Sequence, residues 1–187
     1  MNQETIIQSV QCWVEQFIVE LNLCPFAKRE LVKNSVRYVV TKAVTEEQLL
    51  VALEAELESL IESGSIETTL LIHPDMLHEF HDYNQFLDLA EGLLHEMKLE
   101  GVFQIASFHP CYQFGGTEPD DVENYTNRSP YPILHLLRED SLEKAIADYR
   151  DVDQIPVNNI ALMNQLGEDK LSAILEGCLS KVVDTKE

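Results

Sequence analysis

Two histidines and one cysteine are the residues best suited to acid–base or nucleophilic chemistry in this chain. His109 follows a predicted strand at the start of a long loop, and His135 lies within the next predicted strand. If these strands are antiparallel neighbours, both imidazoles lie at one end of the sheet, where either could act as a general base near neutral pH. Cys24 lies in a turn near Lys28 and Arg29, whose charges could lower the pKa of its thiol. We therefore expect His109, His135 and Cys24 to be the candidate catalytic residues, with His109 as the first choice.

Each of these residues also has a structural interpretation. His109 could hydrogen-bond the loop, His135 could be a satisfied core residue between two leucines, and Cys24 could be a small buried hydrophobe. Strand alternation adds a constraint, because His135 and Arg138 point to opposite faces unless the strand ends or bulges between them.

Two arginines predict an anion site. Arg128 and Arg138 are the only cations between residues 99 and 143, so they could hold a carboxylate or a phosphate. Tyr112, Asn127 and Tyr131 complete the expected substrate-binding set. Alternatively, the arginines pair with nearby acidic residues, namely Asp120, Asp121, Glu123 or Glu139.

Metal binding stays open, and the sequence identifies no cofactor. His73, His78 and His81 could share a metal, as could His109 and His135, but the first set is also typical of an exposed helix start. We therefore assign no residue as a metal ligand. Neither GxGxxG nor GxxxxGK[ST] occurs in the sequence, so no motif supports a nucleotide-binding fold.

Composition excludes several classes of protein. The 187 residues include 33 acidic and 13 basic side chains, for a formal charge of -20, which argues against a nucleic-acid-binding surface. No apolar run is long enough for a membrane span, and the first residues lack the pattern of a secretory signal. The four cysteines contain no CxxC pair, so we expect reduced thiols in a cytoplasmic protein.

The elements that must position these residues follow from hydrophobic periodicity. Helices are predicted at about residues 6–21, 45–62, 84–99, 142–149, 159–166 and 169–182, and a capping box at residues 45–48 opens the second of them. Strands are predicted at residues 36–41, 68–72, 102–108 and 133–137. We therefore expect one α+β domain over residues 1–187, a sandwich of about four strands in a mixed sheet with about six helices. A doubly wound α/β sheet is the alternative.

The segment 109–132 is the longest stretch without a predicted element. Loops longer than roughly 12 to 15 residues are usually functional or disordered, and this one carries four aromatic residues and four prolines. We expect it to be ordered and to pack against the turn at residues 23–26.

Three motifs together resemble the bacterial domain-of-unknown-function 1415 family. They are Asn22-Leu23-Cys24-Pro25-Phe26-Ala27, Ser107-Phe108-His109-Pro110, and Asn127-Arg128-Ser129-Pro130-Tyr131-Pro132 with the following His135-Leu136-Leu137-Arg138-Glu139. The resemblance covers nearly the whole chain and implies a bacterial single-domain protein. It implies no reaction, so the expected roles rest on chemistry.

Three functions fit these residues. The favoured one is an enzyme that acts on a small anionic metabolite by histidine acid–base chemistry. The others are a non-catalytic anion-binding or regulatory module, and a protein-interaction domain that uses the aromatic loop at residues 109–132. Neither nucleic acid nor a membrane is an expected partner, and the oligomeric state is open.

Overall fold

A four-stranded sheet forms the centre of the computed structural model, which describes residues 2–180. Its strands are β1 (Val36–Val40), β2 (Thr68–Ile72), β3 (Phe103–Phe108) and β4 (Ile133–Arg138), in the order β1-β2-β4-β3. β1 and β2 are parallel, whereas β4 runs antiparallel to both β2 and β3. The predicted mixed sheet and the antiparallel pairing of the third and fourth strands are confirmed.

Helices flank this sheet, which confirms the α+β class. They are α1 (Gln3–Trp13), α2 (Ala27–Val32), α3 (Glu46–Glu62), α4 (Phe80–Glu96), α5 (Glu139–Ala147), α6 (Gln154–Leu166) and α7 (Glu168–Ser180). A π-helical segment, Val14–Val19, continues α1, and a 3₁₀ helix, Val122–Asn127, lies in the long loop. The loop is therefore built on a short regular element that its sequence did not indicate.

Hydrogen bonds at the start of α3 confirm Thr45 as the predicted N-cap, while the reciprocal bond of the capping box goes to Val44, one residue earlier. The Thr45 hydroxyl accepts a hydrogen bond from the backbone N–H of Gln48, and the Gln48 side chain accepts one from the backbone N–H of Val44. Because the first N–H groups of a helix have no partner within it, these bonds fix where α3 begins.

Each face of the sheet is covered by a separate apolar layer. α3 and α4 cover one face, where Leu53 and Phe86 pack with Leu71 and Leu134. α1, its π-helical extension, α6 and α7 cover the other face. Successive strand residues point to opposite faces, so Leu70 and its neighbour Leu71 belong to different layers. The side chain of any strand residue is thereby assigned to one layer or the other.

A disulfide joins α1 to α7. Cys12 of α1 bonds to Cys178 of α7, with their Cα atoms 5.4 Å apart. The expectation of four reduced thiols is therefore wrong for this pair, because two cysteines separated by 166 positions in the sequence meet where α1 packs on α7. Cys24 and Cys111 are free thiols.

Within residues 2–180, no helix combines the length and the apolar character needed to cross a bilayer.

Candidate functional site

A large cavity lies on the face of the sheet that α1 covers. Its volume is about 550 Å³, within the range of pockets that hold small molecules. β2, β3 and β4 form its floor, and α1, the turn before α2, α5 and α6 form its walls, with Trp13, Leu23, Phe108 and Leu142 among the lining residues. The lining is mainly apolar, so the cavity suits a molecule with a largely apolar body.

His135 is the imidazole that lines this cavity. It lies on β4, and its Nε2 atom is 2.7 Å from the hydroxyl oxygen of Thr68 on β2. The same hydroxyl donates its only hydrogen to the carbonyl oxygen of Leu136 at 2.6 Å. Thr68 must therefore accept from His135, which makes Nε2 the protonated nitrogen and leaves Nδ1 with a free lone pair. No group among residues 2–180 hydrogen-bonds to Nδ1.

Burial keeps this imidazole neutral. Removal from water lowers the pKa of His135 from 6.5 to about 4, because an apolar environment disfavours the imidazolium cation. At neutral pH His135 is therefore a hydrogen-bond acceptor in the cavity and carries no charge.

Cys24 lines the same cavity at the turn before α2. Burial raises the pKa of its thiol, and hydrogen bonds from the backbone N–H groups of Phe26 and Ala27 oppose that rise only in part. The expectation that Lys28 and Arg29 lower this pKa is wrong, because desolvation is the largest influence on the thiol and Arg29 is already paired with a carboxylate. Cys24 is therefore a protonated thiol at neutral pH and a poor nucleophile as it stands.

Acidic side chains also line the cavity. Glu30 is 8% exposed and accepts hydrogen bonds from Arg29, Lys33 and Ser35. Burial alone would raise the pKa of this carboxyl, but the three donors together hold the pKa below its usual value. Glu67 also lines the cavity, and its Oε1 atom is buried without a hydrogen-bond partner among the described residues. The cavity wall near these residues therefore carries both signs of charge, since Arg29, another lining residue, is paired with Glu30.

His109, the first choice for acid–base chemistry, lies on the opposite face of the sheet. Its ring contacts Phe80 and Tyr83 of α4, with ring centroids 5.5 Å and 5.0 Å away. Nδ1 accepts a hydrogen bond from the backbone N–H of Cys111, and Nε2 donates to the carbonyl oxygen of Leu77. Both nitrogens are thus used within the fold, and burial lowers the pKa of this imidazole.

The expected contact between the two histidines is therefore wrong. They lie near the same end of the antiparallel pair, as predicted, but odd-numbered positions of β3 and of β4 face opposite layers. His109 has the geometry of a structural residue, because both of its ring nitrogens are hydrogen-bonded to the backbone.

Arg138 donates hydrogen bonds to the C-terminal end of α3 and to the segment that follows it. Its Nε and Nη2 atoms donate to the carbonyl oxygens of Leu60, Ser63 and Ile66, and its guanidinium lies over the ring of Phe103. Carbonyl groups in the last turn of a helix lack partners within it, so these bonds satisfy them.

Arg128 is used in a similar way within the long loop. Its Nη2 donates to the carbonyl oxygen of Pro119 at 2.6 Å, and its guanidinium stacks 4.4 Å from the centre of the Tyr125 ring. Arg128 follows the 3₁₀ helix, whereas Arg138 is the last residue of β4. The two arginines therefore do not converge on one anion site, and backbone carbonyls rather than the predicted acidic residues are their hydrogen-bond acceptors.

The remaining predicted binding residues hold the loop together. The Asn127 side chain donates to the carbonyl oxygen of Ser107, and Asn127 also lines the cavity. Tyr112 packs against Phe80, with ring centroids 4.9 Å apart, and Tyr131 belongs to the apolar layer around α1. The loop is therefore anchored in the fold, and its aromatic rings are at least half-buried rather than displayed for a partner.

The histidines near α4 do not form a metal site. His73 is fully buried and stacks on Tyr83, whereas His78 and His81 are exposed. Among the residues that the structure describes, no three His, Cys, Asp or Glu side chains are placed to hold an ion together. The alternative that paired His109 with His135 fails because the two rings occupy opposite faces of the sheet.

Thr68, Glu67 and Trp13 are site residues that the sequence did not reveal. Thr68 contacts His135 across 67 positions of sequence, which only the pairing of β2 with β4 brings together. The helical pattern of α1 predicts Trp13 only as a core residue. Trp13 is indeed 1% exposed, but it also lines the cavity.

Comparison with known proteins places this fold in a family. No curated protein and no solved structure matches the chain significantly. A family model described as "Protein of unknown function (DUF1415)" matches residues 5–173, a span that includes all four strands and the residues that line the cavity. Because the match covers most of the chain, the resemblance noted from the three motifs is confirmed, and the chain belongs to the DUF1415 family.

Proposed function

We propose that this protein binds a small, mainly apolar molecule in the cavity beside His135. One observation carries the proposal: a cavity of about 550 Å³ with an apolar lining contains a neutral imidazole whose Nδ1 has no partner among the described residues. Sites for small molecules are mostly apolar and hold a few polar groups that orient the ligand. A free acceptor in an apolar wall matches that description.

This proposal revises the favoured interpretation of the sequence. An anionic ligand would need the guanidinium groups of Arg128 and Arg138, but both donate to backbone carbonyls and they do not converge. Glu30 and Glu67 line the cavity, and the arginines that line it with them, Arg29 and Arg138, already bond to Glu30 and to backbone carbonyls. The charge near the cavity therefore favours an uncharged body over a carboxylate or phosphate.

A cavity-filling variant tests the site. Ala106 of β3 lines the cavity and pairs with His135 in the sheet register, so Ala106→Phe should fill the space above the imidazole. The control is Gln104→Phe, which lies two residues earlier on the same face of the same strand and is not a lining residue. The probe is N-phenyl-naphthylamine, an uncharged apolar fluorophore.

We expect the wild-type protein and Gln104→Phe to bind this probe saturably at a single site. Ala106→Phe should lose at least roughly tenfold in affinity while it stays folded, because the added ring occupies the probe's volume. Equal binding by all three proteins, or no saturable binding by the wild type, would contradict the proposal.

Acid–base catalysis by His135 is a second candidate function. The observation that favours it is the fixed tautomer, since Thr68 orients the ring and leaves Nδ1 unprotonated on a residue that lines the cavity together with Cys24. If turnover is found with a cavity ligand, His135→Gln should reduce the rate by roughly 10² to 10⁴. Turnover that survives this change would leave binding as the function.

A bacterial source and a cytoplasmic location complete the proposal. The family resemblance and the free thiols of Cys24 and Cys111 support this setting, whereas the Cys12–Cys178 disulfide is a bond that cytosolic proteins rarely keep. Fractionation of cells that express the protein from its own gene decides the question. Recovery in a periplasmic or secreted fraction would contradict the location.

A further inference from the structure

Nδ1 of His135 is an unprotonated hydrogen-bond acceptor on a residue that lines the cavity. His135 donates from Nε2 to Thr68, so only its Nδ1 lone pair remains for a ligand. The amide nitrogens at the wall are already engaged, because Asn127 Nδ2 donates to Ser107 and Asn159 Nδ2 donates to the carbonyl oxygen of Leu23. A ligand that enters the cavity can therefore donate a hydrogen bond to Nδ1 of His135.

The environment of that acceptor opposes charge. Burial lowers the pKa of His135 to about 4, which means that a cation at this position is strongly disfavoured relative to water. The same desolvation acts on an ammonium group placed beside Nδ1. A carboxylate is opposed by desolvation, and the guanidinium groups at the wall, those of Arg29 and Arg138, are already bonded to Glu30 and to backbone carbonyls.

We propose that the cavity selects an uncharged apolar molecule that carries a hydroxyl group, an alcohol or a phenol, whose O–H donates to Nδ1 of His135. A hydroxyl suits the site better than an amide. An amide also brings a carbonyl oxygen that needs a hydrogen-bond donor, and the side-chain amide groups of Asn127 and Asn159 already donate to backbone carbonyls. This inference rests on the proposed function, since it names the ligand class of the same cavity.

The chain carries its own reporter for this test. Trp13 is the single tryptophan of the sequence, and it lines the cavity, where its ring contacts Phe108. Phe108 in turn lies beside His135, with ring centroids 6.0 Å apart. Occupancy of the cavity should therefore change the fluorescence of Trp13 without any label.

Four probes with one alkyl chain separate the possible head groups. They are n-decanol, decyl methyl ether, decanoate and decylammonium, titrated into wild-type protein at pH 7. We expect n-decanol to bind at least roughly tenfold more tightly than either charged probe, because each ion must lose its hydration. It should bind roughly fivefold more tightly than the ether, which keeps the oxygen but lacks the donor.

His135→Phe identifies the acceptor. This variant keeps a ring at the position and removes the lone pair, so it should bind n-decanol and the ether with equal affinity. The control is His81→Phe, because His81 is exposed and does not line the cavity. It should keep the preference for the alcohol.

The outcomes distinguish a failure of the proposed ligand class from a failure of the proposed binding function. Equal or tighter binding of decanoate, decylammonium or the ether by the wild type overturns the ligand class but leaves a small-molecule site in place. The alcohol–ether comparison uses the wild-type protein alone, so it decides the matter even if His135→Phe does not fold. If none of the four probes changes the Trp13 fluorescence and N-phenyl-naphthylamine also fails to bind, the proposed function itself is overturned.

Discussion

The hydroxyl of Thr68 fixes the proton of His135. It accepts from Nε2 at 2.7 Å and donates to the carbonyl of Leu136 at 2.6 Å, so the imidazole has one tautomer and Nδ1 stays unprotonated. The neighbouring Thr69 is also fully buried, but its hydroxyl has no hydrogen-bond partner among the described residues. Two adjacent threonines of β2 thus differ in the face they point to and in whether the hydroxyl is hydrogen-bonded.

This difference predicts opposite effects of the same substitution. Thr68→Val removes two hydrogen bonds and leaves the Nε2 donor of His135 without a partner, so it should lower the free energy of unfolding by roughly 1 to 3 kcal/mol. Thr69→Val replaces an unpaired buried hydroxyl with a methyl group and should be neutral or stabilising. Urea denaturation of both variants measures the two effects. Equal destabilisation would contradict the assigned hydrogen bonds.

Acid should destabilise the protein through its buried histidines. Burial lowers the pKa of His135 to about 4 and that of His73 to about 3, both below the unfolded value of 6.5. The unfolded state therefore binds protons more readily, so the stability from these groups is complete above pH 6.5 and is lost as the pH falls toward 4 and then 3. For His135 the shift corresponds to roughly 3 kcal/mol.

A pair of unfolding curves checks this contribution. Many carboxylates also titrate below pH 5, so the wild type is compared with His135→Phe rather than with itself alone. The free energy of unfolding of His135→Phe should fall less steeply between pH 6.5 and 4. Parallel curves for the two proteins would mean that His135 is not held neutral by the fold.

His109 should behave as a structural residue. Its two ring nitrogens bond to Cys111 and to Leu77, and its ring packs on α4, so His109→Gln should reduce stability by roughly 1 to 3 kcal/mol. His81→Gln alters an exposed histidine of α4 and serves as the matched control with little expected change. Thermal and urea unfolding measure both. A fully stable His109→Gln variant would return His109 to the list of candidate functional residues.

The disulfide predicts a specific thiol count. Denatured protein that is alkylated without reductant should be modified at Cys24 and Cys111, and reduction should expose two further thiols at Cys12 and Cys178. Replacing both bridge cysteines with alanine should cost roughly 2 to 4 kcal/mol, the usual effect of a disulfide that closes a long loop. Peptide mass spectrometry identifies the alkylated positions. Four thiols alkylated without reductant would contradict the bridge.

Most of the secondary structure follows from local pattern, which is why the sequence predicts it. The strand at residues 68–72 matches β2, and the strand predicted at residues 102–108 matches β3 to within one residue. α2 was missed because its six residues are too few to show a helical period. α4 begins at Phe80 rather than near residue 84, because no side chain caps its start and the sequence offers no boundary there.

The candidate site depends on pairing that no local pattern encodes. β4 lies between β2 and β3, and this insertion brings Thr68 to His135. The parity of His135 and Arg138 was predictable from strand alternation and is confirmed by their contacts, since the ring of His135 lies beside Phe108 and the guanidinium of Arg138 lies over Phe103, which belongs to the other layer. The position of His109 was not, because a residue just beyond a strand can turn to either face, and the packing of α4 decides which one.

The most direct test of the account is NMR of isotope-labelled histidine side chains. His135 should give the signature of a neutral ring protonated at Nε2 at pH 7, and it should keep that form until the pH approaches 4. Saturation of the cavity with n-decanol should shift the Nδ1 resonance of His135 and leave that of His109 unchanged, because Nδ1 of His109 is already bonded to Cys111. A protonated His135 at pH 7, or an Nδ1 resonance that does not respond to a bound probe, would contradict the account.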